Sequence, residues 1–243
     1  MPEQLFFTKF LNGILAGPAA ALLHVFGLVP KYPEAPITNF VAMEILVFLM
    51  LVAFFALVRA RLSVDSPGAM QHLVETSHEF VENQSHEIIG HHTAPYIPFL
   101  MTLGFFILLS NLIGLIPGFE SPTSNPAVPL GCALVAWFYY QVQGIRHAGL
   151  AYFKHFLGPV WWLTPLMLPI EIISHLARAM SLTIRLYANI YAGDMVTLVF
   201  FSLVPIALPV VFLGLHVGVS FLQTYIFVLL TMVYISGAVA EAH

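Results

Sequence analysis

The chain has 243 residues, of which 59% are hydrophobic and only 8% are charged. With a mean hydropathy of +0.89, this composition predicts an integral membrane protein and excludes an ordinary soluble domain. The formal net charge of −4 argues against a nucleic-acid-binding protein, which would carry a basic surface.

Residues 1–38 have mixed character, because the moderately apolar run from Leu5 to Val29 is interrupted by Lys9 and by the Gly17-Pro18 pair. We expect this N-terminal segment to form a short interfacial helix on the outer side of the membrane, followed by a proline-containing linker. Residues 39–243 are predicted to form a single membrane-embedded helical domain.

The first clear span runs from Phe40 to Val58 and is closed by Arg59 and Arg61. The positive-inside rule places that end of the span in the cytoplasm. Ser66 to His92 is polar, with acidic and apolar residues interleaved at helical spacing. This pattern predicts an amphipathic helix that lies on the cytoplasmic surface.

Two shorter spans follow, from Pro98 to Ile116 and from Val128 to Val142. The loop between them contains no lysine or arginine, as expected of a loop on the outer side. Arg146 and Lys154 follow the second of these spans. By the positive-inside rule, that end of the span lies on the cytoplasmic side.

The last two predicted helices, Pro169 to Phe201 and Val210 to Ala240, are separated by a break at Pro205 and Pro209. Each has about 30 residues and a length of about 45 Å, which exceeds a hydrocarbon core of about 30 Å. Both should therefore be steeply tilted. The predicted fold class is an all-α polytopic membrane protein with about five membrane-embedded helices and one amphipathic surface helix. The N-terminus lies outside and the C-terminus lies in the cytoplasm.

Arg185 is the most unusual residue of the first long helix, because it is surrounded by apolar sequence. A charged side chain near the bilayer centre costs about 2.5–3.5 kcal/mol on insertion scales, so it usually marks an ion or substrate pathway. Arginine also keeps its charge at any physiological pH. Asn189, Ser181 and Glu171 lie on the same helical face, at steps of three or four residues or their multiples.

The last helix presents His216 and Gln223 on one face, seven residues apart. If the two long helices fold back about residue 205, Arg185 and Gln223 lie at similar depth, and so do Asp194 and His216. Glu171 lies about 21 Å from Arg185 in the opposite direction. Intramembrane aspartate, glutamate and histidine side chains are typical of proton relays. The pattern therefore predicts titratable groups on both sides of a permanent cation.

Three motifs together resemble subunit a of the F-type ATP synthase, bacterial type: SLTIRLYANIYAGD, His216-x6-Gln223 and SNLIGLIPG. The similarity extends from about residue 36 to the C-terminus. The resemblance implies that Arg185 is the family's essential arginine, which meets the c-subunit carboxylate and separates two half-channels. Asp194 stands where the family usually has glutamate, and with His216 it would line the outer half-channel. The other matched positions are Asn111 and Gln223 in the outer and central region, and Asn189, Ser181 and Glu171 in the central and inner region.

The resemblance implies a proton-translocating stator subunit that is not itself an enzyme and binds neither a cofactor nor a metal. Its expected partners are the c-ring, the peripheral-stalk b subunits, the lipid bilayer and the translocated protons, with no nucleic acid. The expected location is the inner membrane of a bacterium. Ion flow through the two half-channels would be coupled to ring rotation and ATP synthesis.

Two other classes of protein share features with this sequence. An intramembrane zinc protease is suggested by the segment from His86 to His92, but an H-E-x-x-H helix needs its second histidine at the fourth position, where Gly90 stands. A proton-coupled secondary transporter remains the alternative, although the sequence shows no internal repeat of the kind common in transporters.

Overall fold

The computed structural model describes residues 4–25, 35–64, 66–90, 93–116, 118–149, 164–203 and 207–239. Within these ranges the chain forms seven α-helices and one short 3-10 helix, and no strand. The helices are α1 (Phe6–Val25), α2 (Asn39–Ala60), α3 (Ala69–Ile88), α4 (Ile97–Ile113), the 3-10 helix η1 (Pro122–Ser124), α5 (Ala127–Ala148), α6 (Thr164–Leu203) and α7 (Ala207–Val239). Five residues named in the predictions lie outside the described ranges: Val29, His92, Lys154, Pro205 and Ala240.

The predicted all-α polytopic fold is confirmed. Among the described residues, three helical segments are long and apolar enough to cross a membrane, namely Asn39–Ala60, Thr164–Ser202 and Val210–Val239, and Ile97–Ile113 is a shorter apolar helix. The predicted span Val128 to Val142 falls on α5, which has 22 residues but is less apolar, because Gln141, Gln143 and Arg146 occupy its second half.

The amphipathic helix α3 packs against α4 and α7. Gly90, directly after α3, has a φ of 106°, a conformation that only glycine adopts without strain. This turn directs the chain into α4, where a proline occupies the first helical turn. The hydroxyl of Ser236 in α7 donates a hydrogen bond of 2.8 Å to the carbonyl of Ile88. The end of α3 is therefore tied to the bundle.

The core is formed by four helices, α4 to α7: α7 packs against α4, α5 and α6, and α5 packs against α6. Its central cluster of buried side chains comprises Leu103 and Ile107 of α4, Cys132, Ala133 and Ala136 of α5, Leu182, Leu186 and Ile190 of α6, and Phe227 of α7. The two alanines are small enough to let neighbouring helices approach closely, which is how helices associate in lipid.

The two long helices are longer than the sequence suggested. α6 has 40 residues and α7 has 33, which correspond to about 60 Å and about 50 Å. α6 begins at Thr164 rather than at Pro169, so Pro169 lies inside the helix, where it removes one backbone hydrogen bond. α6 ends at Leu203 and α7 begins at Ala207. Pro209 therefore lies in the first turn of α7 and not, as the sequence predicted, in a break between the helices, because a proline is tolerated in the first turn of a helix. Residues 204–206, which include Pro205, lie outside the described ranges.

The N-terminal helix α1 packs against α2. The Asn12 side chain donates to the carbonyl of Ile37 at 3.0 Å and accepts from the backbone N–H of Ile37 at 3.1 Å. This paired contact attaches α1 to the segment that leads into α2. The division of the chain at residue 38 stays a prediction.

Candidate functional site

Arg185 lies near the middle of α6 and is half-buried. Its Nη2 donates to the hydroxyl of Ser181, one turn earlier, at 3.5 Å. The neighbouring apolar side chains Met180 and Ile184 are exposed. Within the described ranges, no carboxylate lies within salt-bridge distance of this guanidinium. The site therefore presents a permanent positive charge on an apolar surface without an internal counter-charge.

One turn after Arg185, the amide of Asn189 donates a hydrogen bond of 2.6 Å to Oε1 of Gln223 in α7. Gln223 is almost completely buried, and its Nε2 has no hydrogen-bond partner among the described residues. The sequence predicted that Gln223 lies at the depth of Arg185. In the structure the direct contact of Gln223 is with Asn189, one turn after Arg185. The amide pair fixes the register of α6 against α7.

Asp194 and His216 form the next contact along the same two helices. Nδ1 of His216 lies 3.8 Å from Oδ1 of Asp194, so their predicted pairing is confirmed as a contact. The His216 side chain is 5% exposed and that of Asp194 is 32% exposed. The second ring nitrogen of His216, Nε2, is buried and has no hydrogen-bond partner in the described part of the chain. The pair links a buried ring to a more accessible carboxylate.

A glycine makes the Asp194–His216 contact possible. A Cβ atom at Gly193 would lie 2.9 Å from Nδ1 and 3.0 Å from Cε1 of His216, closer than real Cβ atoms come to their neighbours. The imidazole ring therefore lies directly against the backbone of α6. Any side chain at position 193 would displace it.

Beside this contact is a cavity of about 230 Å³, lined by Asn189, Gly193 and His216 together with apolar side chains. A water molecule needs about 10–15 Å³ of such volume and two or more polar partners. The cavity has room for several water molecules, and it connects the level of Asn189 with that of His216. It can supply the polar medium through which a proton moves between fixed groups.

A second titratable group lies toward the start of α6. Nε2 of His175 is 3.3 Å from Oε1 of Glu171, and Nδ1 of His175 is 2.8 Å from the hydroxyl of Tyr140 in α5. Arg178 forms no salt bridge with Glu171 among the described residues. Its guanidinium lies over the Tyr234 ring, 5.3 Å from the ring centroid. Sequence reasoning singled out Glu171 but missed His175 and Tyr140. His175 lies one helical turn after Glu171, and this spacing could have indicated His175.

Asn111 belongs to a separate buried polar cluster at the end of α4. The hydroxyl of Thr123 donates to Oδ1 of Asn111 at 2.7 Å, and it also lies 2.7 Å from the hydroxyl of Ser121. Ser121 donates to the carbonyl of Ser110 at 2.9 Å. The 3-10 helix η1, which carries Thr123, packs against both α4 and α6. The cluster therefore lies next to the helix that carries Arg185.

The described residues include no group of three histidine, cysteine, aspartate or glutamate side chains that could hold a metal ion. The His86 ring lies near Glu82, at 3.9 Å, and near the Thr93 hydroxyl, at 3.4 Å. These contacts are those of a surface helix and its neighbouring loop.

Comparison with known proteins gives a consistent result. The sequence model of the family "ATP synthase A chain" matches residues 40–236, which is more than half of the chain. The chain is 60% identical to "ATP synthase subunit a" of Koribacter versatilis over the whole of both chains. It is 52% identical to "ATP synthase subunit a" of Solibacter usitatus over 96% of this chain and 99% of the relative. It is also 47% identical to "ATP synthase subunit a 1" of Syntrophotalea carbinolica over 82% of this chain and 84% of that relative.

Proposed function

This chain belongs to the ATP synthase A chain family, and we propose that it is the proton-translocating stator subunit of a bacterial F-type ATP synthase. In this role it offers two offset half-channels to the carboxylates of a rotating c-ring. Arg185 separates the half-channels. The chain conducts protons and is not catalytic, because the ATP chemistry takes place elsewhere in the complex.

The observation that carries this proposal is the unpaired charge of Arg185 on the apolar surface of α6. A permanent cation at membrane depth is stable only beside a partner or in a polar path. Only 17% of the most apolar stretch of α6 is buried, compared with 44% for α7. The open face of α6 therefore suits a second protein that brings carboxylates to Arg185, as a c-ring would.

The arrangement along α6 supports two half-channels. Asp194 and His216 lie toward the break between the long helices, and Glu171 lies toward the start of α6, 14 residues before Arg185. Protons would reach the ring by way of Asp194, His216, Asn189 and the cavity beside them on one side. They would leave by way of Glu171 and Ser181 on the other side.

Electrostatics supplies the direction of each step. A ring carboxylate that approaches Arg185 loses its proton, because a neighbouring positive charge favours the ionised form. As the ring turns away, lipid favours the protonated, neutral form. Each elementary charge that crosses the full membrane potential contributes about 2.3 kcal/mol per 100 mV. Arg185 prevents a direct passage between the half-channels, so proton flow must turn the ring.

The surroundings of the chain follow from the same proposal. The subunit lies in the bacterial inner membrane with its N-terminus outside and its C-terminus in the cytoplasm. The c-ring meets the open face of α6, and peripheral-stalk b subunits hold the chain against rotation. The basic residues Arg59 and Arg146, near the ends of α2 and α5, support the cytoplasmic placement of those ends.

The proposal is tested by isolating the chain from native membranes and by reconstituting it alone in liposomes. A stator subunit copurifies with a c-ring, and the isolated chain does not accumulate protons or a solute by itself. A secondary transporter gives the opposite result, with transport by the chain alone and no ring. Proton-coupled uptake by the isolated chain would overturn the proposed function.

A further inference from the structure

His175 joins two helices at a position that the proposed ion path does not use. Its Nδ1 lies 2.8 Å from the Tyr140 hydroxyl of α5, and its Nε2 lies 3.3 Å from Oε1 of Glu171 on α6. His175 is 8% exposed and Tyr140 is 1% exposed, whereas the Glu171 side chain is 36% exposed. The buried His175 ring thus contacts one oxygen of the Glu171 carboxylate, whose side chain is partly exposed.

The contacts of the ring place a polar neighbour at each of its nitrogens. A neutral imidazole has one N–H donor and one acceptor nitrogen. The Tyr140 hydroxyl lies within hydrogen-bond distance of Nδ1, and which of the two donates depends on the tautomer. The tautomer with its N–H on Nε2 suits the Glu171 carboxylate, and the contact with Tyr140 helps to hold the ring in place for it.

The competing partner of Glu171 is Arg178, two turns later on the same helix. In the structure Arg178 is held elsewhere, with its guanidinium 5.3 Å from the centroid of the Tyr234 ring. The ring centroids of Tyr234 and Tyr140 lie 5.8 Å apart. Tyr234, which contacts Arg178, and Tyr140, which contacts His175, therefore belong to one aromatic cluster. Glu171 and Arg178 are therefore kept apart by separate partners.

This separation matters for a carboxylate that exchanges protons. An arginine beside a carboxylate strongly favours the charged form, and a carboxylate paired in this way no longer takes up a proton readily. A neutral imidazole N–H orients the carboxylate with a weaker, uncharged hydrogen bond. Glu171 held by His175 remains able to bind and release a proton, and its side chain remains partly exposed.

We propose that His175 is a positioning residue of the half-channel on the Glu171 side: it holds the Glu171 carboxylate away from Arg178 and keeps it available for proton exchange. Tyr140 acts through His175 by fixing the orientation of the imidazole. This inference rests on the proposed function, in which Glu171 lines the path between Arg185 and the cytoplasm.

The test compares His175→Leu with His175→Gln in the intact complex, in inverted membrane vesicles, with ATP-driven acidification as the readout. The leucine removes the polar contacts of the ring, and we expect the loss of the contact with Glu171 to reduce pumping roughly two- to tenfold, the factor that one hydrogen bond contributes. The glutamine amide can donate to Glu171 from nearly the same place as Nε2, and we expect it to restore most of the rate. Equal losses in both variants, with the complex assembled, would overturn the inference.

Two combinations distinguish positioning from simple packing. In a Glu171→Gln background, His175→Leu should cause no further loss, because His175 acts through that carboxylate. Adding Arg178→Gln to His175→Leu should bring pumping close to the rate of Arg178→Gln alone, because the competing cation is gone. Full additivity in either combination would contradict the proposed role.

A milder variant covers the case in which His175→Leu does not assemble. Tyr140→Phe keeps the aromatic ring and removes only the hydroxyl, so pumping should fall in the wild-type background and not in the Glu171→Gln background. Arg185→Ala is measured in the same membranes. Normal pumping by Arg185→Ala would refute the proposed function itself, whereas loss in Arg185→Ala with normal pumping by His175→Leu would refute only the role of His175.

Discussion

At the scale of single residues, the Asp194–His216 contact combines two groups that can each bind a proton. His216 is buried and its Nε2 has no hydrogen-bond partner among the described residues, whereas Asp194 is partly accessible. Buried polar atoms of this kind are found where water or a moving ion completes the contacts. The cavity of about 230 Å³ next to His216 provides the space.

We predict that Asp194→Asn reduces ATP-driven acidification of inverted vesicles by about a hundredfold, the lower end of what a positioned acid–base group contributes to a rate. Asparagine has nearly the same shape but cannot exchange a proton. Asp194→Glu is the matched control, because it keeps the carboxylate and adds one methylene. It should retain most of the pumping. Similar losses in both variants, with normal assembly, would show that shape and not proton exchange is required at this position.

The buried cluster around Asn111 makes a prediction about stability. Thr123→Val preserves the shape of the side chain but removes the hydroxyl that donates to Asn111. The loss leaves a buried acceptor unpaired, which costs about 1–3 kcal/mol. We expect a lower midpoint of thermal unfolding for the purified complex. Ser124→Ala, which removes only a part-buried contact to the carbonyl of Ser121, should have a smaller effect, and the reverse order would contradict this account.

At the scale of helices, the close approach of α6 and α7 positions the candidate site. The contact of Asn189 with Gln223 and that of Asp194 with His216 lie about one and a half turns apart on α6 and about two turns apart on α7. Together the two polar contacts fix both the register and the facing sides of the pair. Gly193 lies between the two contacts on α6 and allows the backbone to meet the His216 ring.

Gly193→Ala should therefore disturb this register. The new Cβ would lie 2.9 Å from Nδ1 of His216, so the ring must leave Asp194 or the helices must separate, at a cost of about 1–3 kcal/mol. We expect reduced proton pumping and a lower midpoint of thermal unfolding. Gly131→Ala in α5 is the control, because nothing lies within 4 Å of a Cβ at that position. Equal behaviour of the two variants would argue against a close contact at Gly193.

At the scale of the whole molecule, the fold leaves one side of α6 uncovered and packs its other side against α5 and α7. The uncovered side carries exposed apolar residues along its length, among them Leu166, Ile173, Met180, Ile184 and Leu198. Such a surface is stable against lipid or against another apolar protein, and Arg185 lies near the middle of the same helix, about 100° around it from Ile184. The proposed stator role uses this side as the contact with the ring.

Much of this architecture could be predicted from the sequence because hydrophobicity alone determines where a chain can span a bilayer. The Asp194–His216 contact was accessible too, because two helices joined by a short break run antiparallel and residues equally distant from it meet. The contact between Tyr140 and His175 was not accessible in this way. Their contact joins α5 to α6, which are separated by a long connection, and helical spacing carries no information on which faces of such helices meet.

The role of Arg185 is the central claim, and ATP-driven acidification of inverted vesicles that carry Arg185→Ala tests it most directly. ATPase activity and the amount of assembled complex are measured in the same membranes, with Arg59→Ala in α2 as a control for the loss of a basic residue. The account predicts that Arg185→Ala abolishes acidification while the complex remains assembled, and that Arg59→Ala pumps normally. Acidification by Arg185→Ala at the wild-type rate would contradict the account and would leave Arg185 with a structural role only.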